Sequence, residues 1–546
     1  MIRHDVDIAI VGSGFSGSLL AMIARRLGRS VVLLERGHHP RFAIGESSTP
    51  LASLLLEELA REYDLPRLIP LGKYGSWKRA YPGLGCGLKR GFSFFRHERG
   101  APFAVHSDRR NQLLVAASPH DEIGDVHWYR PDFDHFFVRE AINSGVTYVD
   151  GVELASFVAP GIGSVGDPAG RTAHRARLTG QRTSTGGQAE RVDVVADLVV
   201  DATGPRGYLH RQLELGERKL PGMPATQALF THLTGVRRFE DVAADAFAGA
   251  PPYPPDAAAV HHVFDGGWIW VLQFDNGITS AGVAATDELA GEVGLSDGAA
   301  AWDRLLARYP SIAAQFVGAT PAREFTWLPR LSFASEAVSG DGWVMLPSAA
   351  GIVDPLLSTG FPLTLLGVQR VAGAIASHWG MPSLRAALAD HGTRTAAELD
   401  NAARLVGALY RSFNDWERFS ALSLLYFAAA SYAESVRRLA ATGQAGDASV
   451  GAPAGAFLMA DHPVFGRALE RCLALADGTD RAALLAAVAG AIAPINVAGL
   501  GDSRRANWYP CDANDLISAA PKLGVSEGEI RAMLDRCGFT PRPVSA

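Results

Sequence analysis

Cysteine is scarce in this chain: Cys86, Cys472, Cys511 and Cys537 are the only four in 546 residues, and no two form a C-x-x-C pair. That spacing excludes a disulfide framework and a cysteine-based zinc site, and it fits a reducing, cytoplasmic location. Charge of one sign is also lacking. A formal net charge of −6 with 20% charged residues leaves no basic excess for nucleic acid and no acidic tail for a solvated arm. The opening "MIRHDVDIAIVG" reads as a strand after a charged start, without the apolar core and small-residue cleavage site of a signal peptide. Long hydrophobic runs are few. The most apolar, "AALLAAVAGAIAPINVAGL" at 482–500, is broken by Pro494 and Asn496 and is expected to be a buried helix and turn rather than a membrane span. Repeats and low-complexity linkers are absent, which predicts lobes packed closely together.

What is present points to a large cofactor-binding protein. At roughly 150 residues per domain the length allows about three to four lobes. The run "VDIAIV" passes through "GSGFSG" into the helical spacing of "SLLAMIARRLG" and then the strand "SVVLLE". This is a strand, tight turn, helix and strand unit with a right-handed parallel crossover. In Gly12-x-Gly14-x-x-Gly17 the first glycine makes the turn, the second lets a pyrophosphate approach, and the third lets helix and strand pack. Ser13, Phe15 and Ser16 complete the turn at a helix N-terminus that faces a phosphate with free N–H groups. Glu35 ends the second strand where an acid takes ribose hydroxyls, with Arg36 beside it. The apolar runs 194–204 and 342–355 read as further core strands. The turn alone does not separate FAD from NAD, but the small residues of "DATG" (201–204) ending a second strand support FAD. The expected fold is α/β plus α: a Rossmann-like FAD-binding domain with an inserted antiparallel-sheet substrate domain and a C-terminal helical region. The expected divisions are a dinucleotide-fold segment at 1–95, an insertion at 96–193, a second FAD-binding segment at 194–215, the substrate sheet at 216–325, a third FAD-binding segment at 326–375, and helices at 376–546.

Taken together, "GSGFSG", "PRFAIGESSTP" (40–50), "VDATG" (200–204) and "GIVDPLLSTG" (351–360) resemble the flavin-dependent halogenases, phenol and pyrrole branch, within the FAD-dependent aromatic monooxygenase superfamily. The resemblance implies FAD, used as FADH2, delivered by a separate NAD(P)H-dependent flavin reductase, since no second dinucleotide fingerprint is visible. It places Arg41, Gly45, Glu46 and Ser47 along the flavin, with Ser348, Asp354, Pro355 and Gly360 as further cofactor contacts, and a chloride or bromide on the backbone of Thr359 and Gly360. Glu46 is the catalytic carboxylate candidate. The family also places one lysine in a tunnel between flavin and substrate, which here selects Lys73, 23 positions beyond Pro50, or Lys78, 28 beyond. The implied route runs through a flavin C4a-hydroperoxide and hypohalous acid, which the lysine amine hydrogen-bonds or traps.

Two departures leave a second reading open. "WIWVLQ" supplies Trp268 and Trp270 as the substrate-side pair but has Gln273 in place of the family's proline, and Pro347-Ser348 replaces Gly-Asp before the D-P turn. The alternative is a flavin monooxygenase that hydroxylates an aromatic ring, of a small molecule or of a protein side chain during cofactor maturation. Aromatic-rich stretches at 92–97 and 126–137 predict a flat apolar pocket for a phenol, pyrrole or indole, free or tethered to a carrier protein, with His97, His127 and His135 as acid–base candidates. "NWYPCD" (507–512) reads as packing.

Overall fold

A computed structural model of the chain describes residues 1–160, 175–183, 187–440, 457–459, 462 and 464–540. Strand β1 (Ile2–Val11), helix α1 (Phe15–Arg26) and strand β2 (Val31–Leu34) form the unit predicted from the apolar spacing. Residues 8–11 of β1 and all of β2 are buried, as a parallel sheet covered on both faces requires. Helix α2 (Pro50–Glu62) follows, with the Thr49 hydroxyl accepting from the Ala52 N–H as its N-cap. Next come β3 (Cys86–Lys89), β4 (Gly91–Arg96), β5 (Asp125–Trp128), and α3 (Arg130–Asn143), whose Pro131 sits in the first turn.

Strand β6 (Ala189–Asp201) pairs in parallel with β1, and the strand Trp343–Met345 pairs in parallel with β6. Three distant stretches of chain thus make one sheet. The division expected at 193/194 falls inside β6, because residues 189–196 pair antiparallel with Ala176–Thr183 while residues 192–201 pair in parallel with β1. A second, largely antiparallel sheet contains Thr226–Thr234, Ala259–Phe264, Gly267–Gln273 and Ile278–Thr286, to which β4 adds in parallel. A separate two-stranded pair joins β3 to β5, with Lys89 opposite Asp125.

Three long helices follow: α4 (Gly360–His378), α5 (Ser383–Arg411) and α6 (Trp416–Ala440). The short strand Trp508–Tyr509 pairs in parallel with Leu114 and Val115, which returns the C-terminal region to the second sheet. The 482–500 run differs from the expected buried helix. Its helix, Arg481–Ile492, buries only Leu484, Val488, Ala491 and Ile492, because alanine is small enough to sit at the exposed positions, while Ile495, Val497 and Leu500 beyond it are buried. No described helix is long and apolar enough to cross a membrane.

Candidate functional site

The glycine turn is dictated by close approach. Gly12 has φ +99°, and a Cβ there would lie 2.6 Å from the Ala202 carbonyl oxygen; a Cβ on Gly17 would lie 2.1 Å from the Gly12 carbonyl oxygen. Gly14 is the N-cap of α1 and supplies no side-chain cap, which leaves that helix end to a ligand. The Glu35 carboxylate holds the turn: its Oε2 accepts from the Ser13 N–H at 3.1 Å, the Ser13 hydroxyl at 2.8 Å and Arg41 at 3.1 Å, while Oε1 accepts from the Gly37 N–H at 2.9 Å. Burial raises the pKa of Glu35, but Arg41 and these donors outweigh it and hold it below the usual range. Phe15 donates its N–H to Asp134 at 3.3 Å, and its ring packs edge-on to Trp128 and Phe361; Ser16 is buried, whereas Arg36 is exposed. Arg130 ties the turn to the next segment, with a bidentate pair to Asp134 at 2.8 Å and a hydrogen bond to the Gly45 carbonyl at 2.9 Å.

Gly45 (φ +90°) is exposed, and a Cβ on Gly360 would meet nothing within 4 Å, so an open crevice has these two backbones along it. Between them Ser358 adopts φ +53°, a left-handed conformation uncommon for a residue with a side chain. Its hydroxyl donates to the Ser47 hydroxyl at 3.1 Å. Both hydroxyls are held by a lysine, but neither Lys73 nor Lys78. Lys89, fully buried, donates to Ser47 Oγ at 2.8 Å, the Ser48 carbonyl at 2.6 Å and Ser358 Oγ at 3.4 Å, with its ammonium 3.8 Å from the Phe92 ring centroid. Burial pulls the Lys89 amine down to about 7 and Asp125 opposes this; burial likewise pushes Asp125 up.

The lysines selected by spacing make other contacts, although Lys73 lines the apolar cavity described below. Lys73 donates to the Cys537 carbonyl at 3.1 Å, and Lys78 sits in the surface helix Tyr74–Ala80 paired with Asp275. Lys89 lies 39 positions beyond Pro50, because the short helices Pro66–Gly72 and Tyr74–Ala80 intervene before β3. A legible signal was available: "GLKRGFSFF" has the same K-x-G form, with its lysine inside an apolar strand run.

Other side chains also take positions different from those expected. Asp354 does not face the crevice. Its Oδ1 accepts from the Leu356 N–H at 2.9 Å and its Oδ2 from Tyr410 at 2.8 Å, so it shapes the D-P turn. Trp268 donates its indole N–H to the Tyr410 hydroxyl at 3.1 Å and Trp270 to Ser280 at 3.3 Å, both buried in the main core. Pro355 is half-buried behind Asp354, and Ser348 is half-buried in the short helix Pro347–Ala350. Glu46 is buried with Oε1 2.8 Å from His232 Nε2. Thr359 is buried as the N-cap of α4, with no side-chain capping bond. Of the histidines, His97 bonds His262 at 2.9 Å in the second sheet, His135 lies 6.2 Å from His39, and His127 is fully buried with its pKa pulled to about 3 by burial and then by Lys89.

Phe92, on whose ring the Lys89 ammonium rests, lines a cavity of about 170 Å³. Phe92, Pro50 and Asp125 form one wall; Tyr426, Phe427, Glu434 and Arg438 of α6, with Cys511 and Met533, form the other. Trp268 and Trp270 are not among its lining residues, and "NWYPCD", expected to be packing alone, contributes Cys511 and Asp512.

A family described as the NAD(P)-binding Rossmann-like domain matches residues 10–50. The chain is 30% identical over 383 residues to monodechloroaminopyrrolnitrin halogenase PrnC of Pseudomonas fluorescens, covering 68% of this chain and 62% of that protein. It is 28% identical over 370 residues to tetracycline 7-halogenase of Kitasatospora aureofaciens, covering 66% and 61%. The chain therefore aligns with about three fifths of the length of each relative. The solved structure of halogenase PltM shares the fold, with a TM-score of 0.77 at 23% identity over 92% of this chain and 99% of that one.

Proposed function

We propose that the chain is a FADH2- and O2-dependent halogenase of an electron-rich aromatic substrate, a reading supported by its sequence similarity to flavin-dependent halogenases and by the fold it shares with halogenase PltM. The observation that carries this reading is Lys89: a buried amine bonded to Ser47 and Ser358 at the crevice, with its ammonium on the face of Phe92, which lines the apolar cavity. The crevice fits a flavin dinucleotide. Gly12, Gly14 and Gly17 let a pyrophosphate reach the α1 N-terminus, with Arg41 beside it, and Glu35 takes ribose hydroxyls once its bonds to Ser13 and Arg41 rearrange. Gly45, Ser47 and Gly360 flank the open space where the ring system would lie. Bound as FADH2, the cofactor supplies the electrons by which O2 oxidises a halide to the level of hypohalous acid.

The remaining steps belong to this chain. The backbone of Thr359 and Gly360, at the N-terminus of a 19-residue helix, attracts the halide. Lys89, lowered toward neutrality by burial, holds the hypohalous acid by hydrogen bonding or as a haloamine and presents the halogen to a ring in the cavity. A cavity of about 170 Å³ suits a substrate built around one aromatic ring. Reduced flavin comes from a separate NAD(P)H-dependent reductase, and the substrate is a free or carrier-tethered phenol, pyrrole or indole.

The test is an assay with FAD, a flavin reductase, NADH and bromide against phenols, pyrroles and indoles, read by isotope pattern. Brominated product is expected, reduced about 10²–10⁴-fold in Lys89→Ala and retained in Lys78→Ala. A hydroxylated product formed without bromide, or full bromination by Lys89→Ala, overturns the proposal.

A further inference from the structure

The β3–β5 register makes Lys89 and Asp125 cross-strand neighbours, which puts their side chains on one face of the pair. Both are buried, yet they point their polar atoms to different places. The hydrogen bonds of Lys89 go to Ser47, Ser48 and Ser358, on the crevice side. Asp125 lines the cavity; the Ser53 hydroxyl hydrogen-bonds its carboxylate, while Oδ2 is buried without a hydrogen-bond partner. A buried carboxylate oxygen left unpaired costs stability, so its retention calls for an explanation in the site's chemistry. The other two carboxylates of the cavity are engaged: Glu434 accepts from Arg438 Nε at 2.7 Å and Asp512 accepts from the Asn514 N–H at 2.8 Å. Nearby, the Cys511 thiol and the Tyr426 phenol are both pushed up, first by burial and in part by Asp125, and stay protonated.

We propose that Asp125 is the substrate-facing proton acceptor: its unpaired oxygen takes the O–H or N–H proton of the aromatic substrate while the ring carbon faces Lys89. The inference rests on the halogenase reading above and names the substrate feature that reading leaves open, a ring bearing an acidic donor. With the proton on Asp125, the lone pair of the phenolate or pyrrolide feeds the ring, and a ring carbon attacks the halogen of the hypohalous acid held at Lys89. The halogen–oxygen bond breaks with its electron pair on oxygen, giving hydroxide. Hydroxide takes the proton from the halogenated ring carbon to form water, and Asp125 returns its proton to the product oxygen or nitrogen. The sum is ArH plus HOX giving ArX plus water.

The experiment uses the full chain with FAD, flavin reductase, NADH and bromide, and compares resorcinol with its dimethyl ether. Resorcinol bromination is expected to fall about 100-fold in Asp125→Asn and Asp125→Ala, with the dimethyl ether unchanged within about threefold. A freely diffusing 1,3-diketone reports electrophilic bromine itself, and its bromination is expected to stay within about threefold of wild type in both variants. In wild type, kcat/KM for resorcinol rises with pH as Asp125 loses its proton, against the neighbouring Lys89, Glu434, Arg438, Cys511 and Tyr426; in Asp125→Asn that limb flattens. Calorimetry without flavin adds a readout independent of turnover: resorcinol binds wild type about tenfold more tightly than its ether, and the preference disappears in Asp125→Ala. Should the alanine variant fail to fold, the isosteric asparagine variant decides. Diketone bromination with an unchanged resorcinol preference in the variants overturns the role of Asp125, whereas a wild type that brominates nothing overturns the halogenase reading beneath it.

Discussion

The glycine-lined crevice and the apolar cavity are bridged by the Lys89–Phe92 contact, yet they are built from different material. The crevice is mostly backbone: Gly12, Gly17, Gly45 and Gly360 are there because a side chain would collide or block, and its charge at Glu35 is met by Arg41 and by N–H donors from Ser13 and Gly37. The cavity is mostly side chains from Phe92, the 115–125 stretch, α6 and the 511–539 stretch, and its Asp125 is buried beside Glu434 and Arg438. A backbone site constrains residue type locally and so leaves a short motif, whereas a side-chain site needs only shape and burial and leaves its marks scattered along the chain.

The contrast can be broken or sharpened by experiment. The largest effect is expected from Gly17→Ala, whose Cβ would sit 2.1 Å from the Gly12 carbonyl and push α1 from β1. It should cost about 3 kcal/mol in denaturant unfolding and abolish flavin binding by fluorescence titration. A smaller loss, about 1–3 kcal/mol, is expected from Tyr410→Phe, which leaves the buried Asp354 without its 2.8 Å donor and loosens the turn leading to Ser358. A raised halide KM in the same variant would tie that turn to the anion.

pH separates Glu35 of the crevice from Asp354 of the D-P turn by sign. Glu35 has a lowered pKa, so the unfolded state binds more protons and its stabilisation, present at neutral pH, is lost as pH falls through the acid range. Asp354 is raised by burial from 3.8 to about 7, so the folded state keeps a proton the unfolded state releases, and its contribution declines as pH climbs between those values. Thermal melts of Glu35→Gln and Asp354→Asn should flatten opposite limbs of the stability profile. The smallest effect belongs to Lys78→Ala, which removes a partly exposed pair with Asp275 and should cost at most about 1 kcal/mol with turnover unchanged.

The legible part of the site follows this division. Gly12, Gly17, Glu35, Ser47 and the Ser358-Thr359-Gly360 turn stand out in the sequence because backbone geometry or a short local hydrogen-bond pattern demands those residue types. Asp354 is just as visible, but its two oxygens are taken up by Leu356 and Tyr410, and Tyr410 lies 56 positions away on α5. Trp268 and Trp270 share a face, as their alternation requires, but a period of two says nothing about whether that face meets ligand or core. The lysine shows the limit most clearly. Lys73, Lys78 and Lys89 are chemically identical, and only the pairing of β3 with β5 and their packing against Ser47 and Ser358 set Lys89 apart.

By itself, then, the sequence determined the nucleotide-binding crossover, the open glycine turn and the small-residue turn at 358–360, since steric exclusion at a glycine and the period of a strand or helix act over a few residues. The tertiary structure decided which lysine is buried, which carboxylate keeps an unpaired oxygen, and that the C-terminal helices close the cavity. Burial and desolvation arise only when segments hundreds of residues apart are brought within a few ångströms.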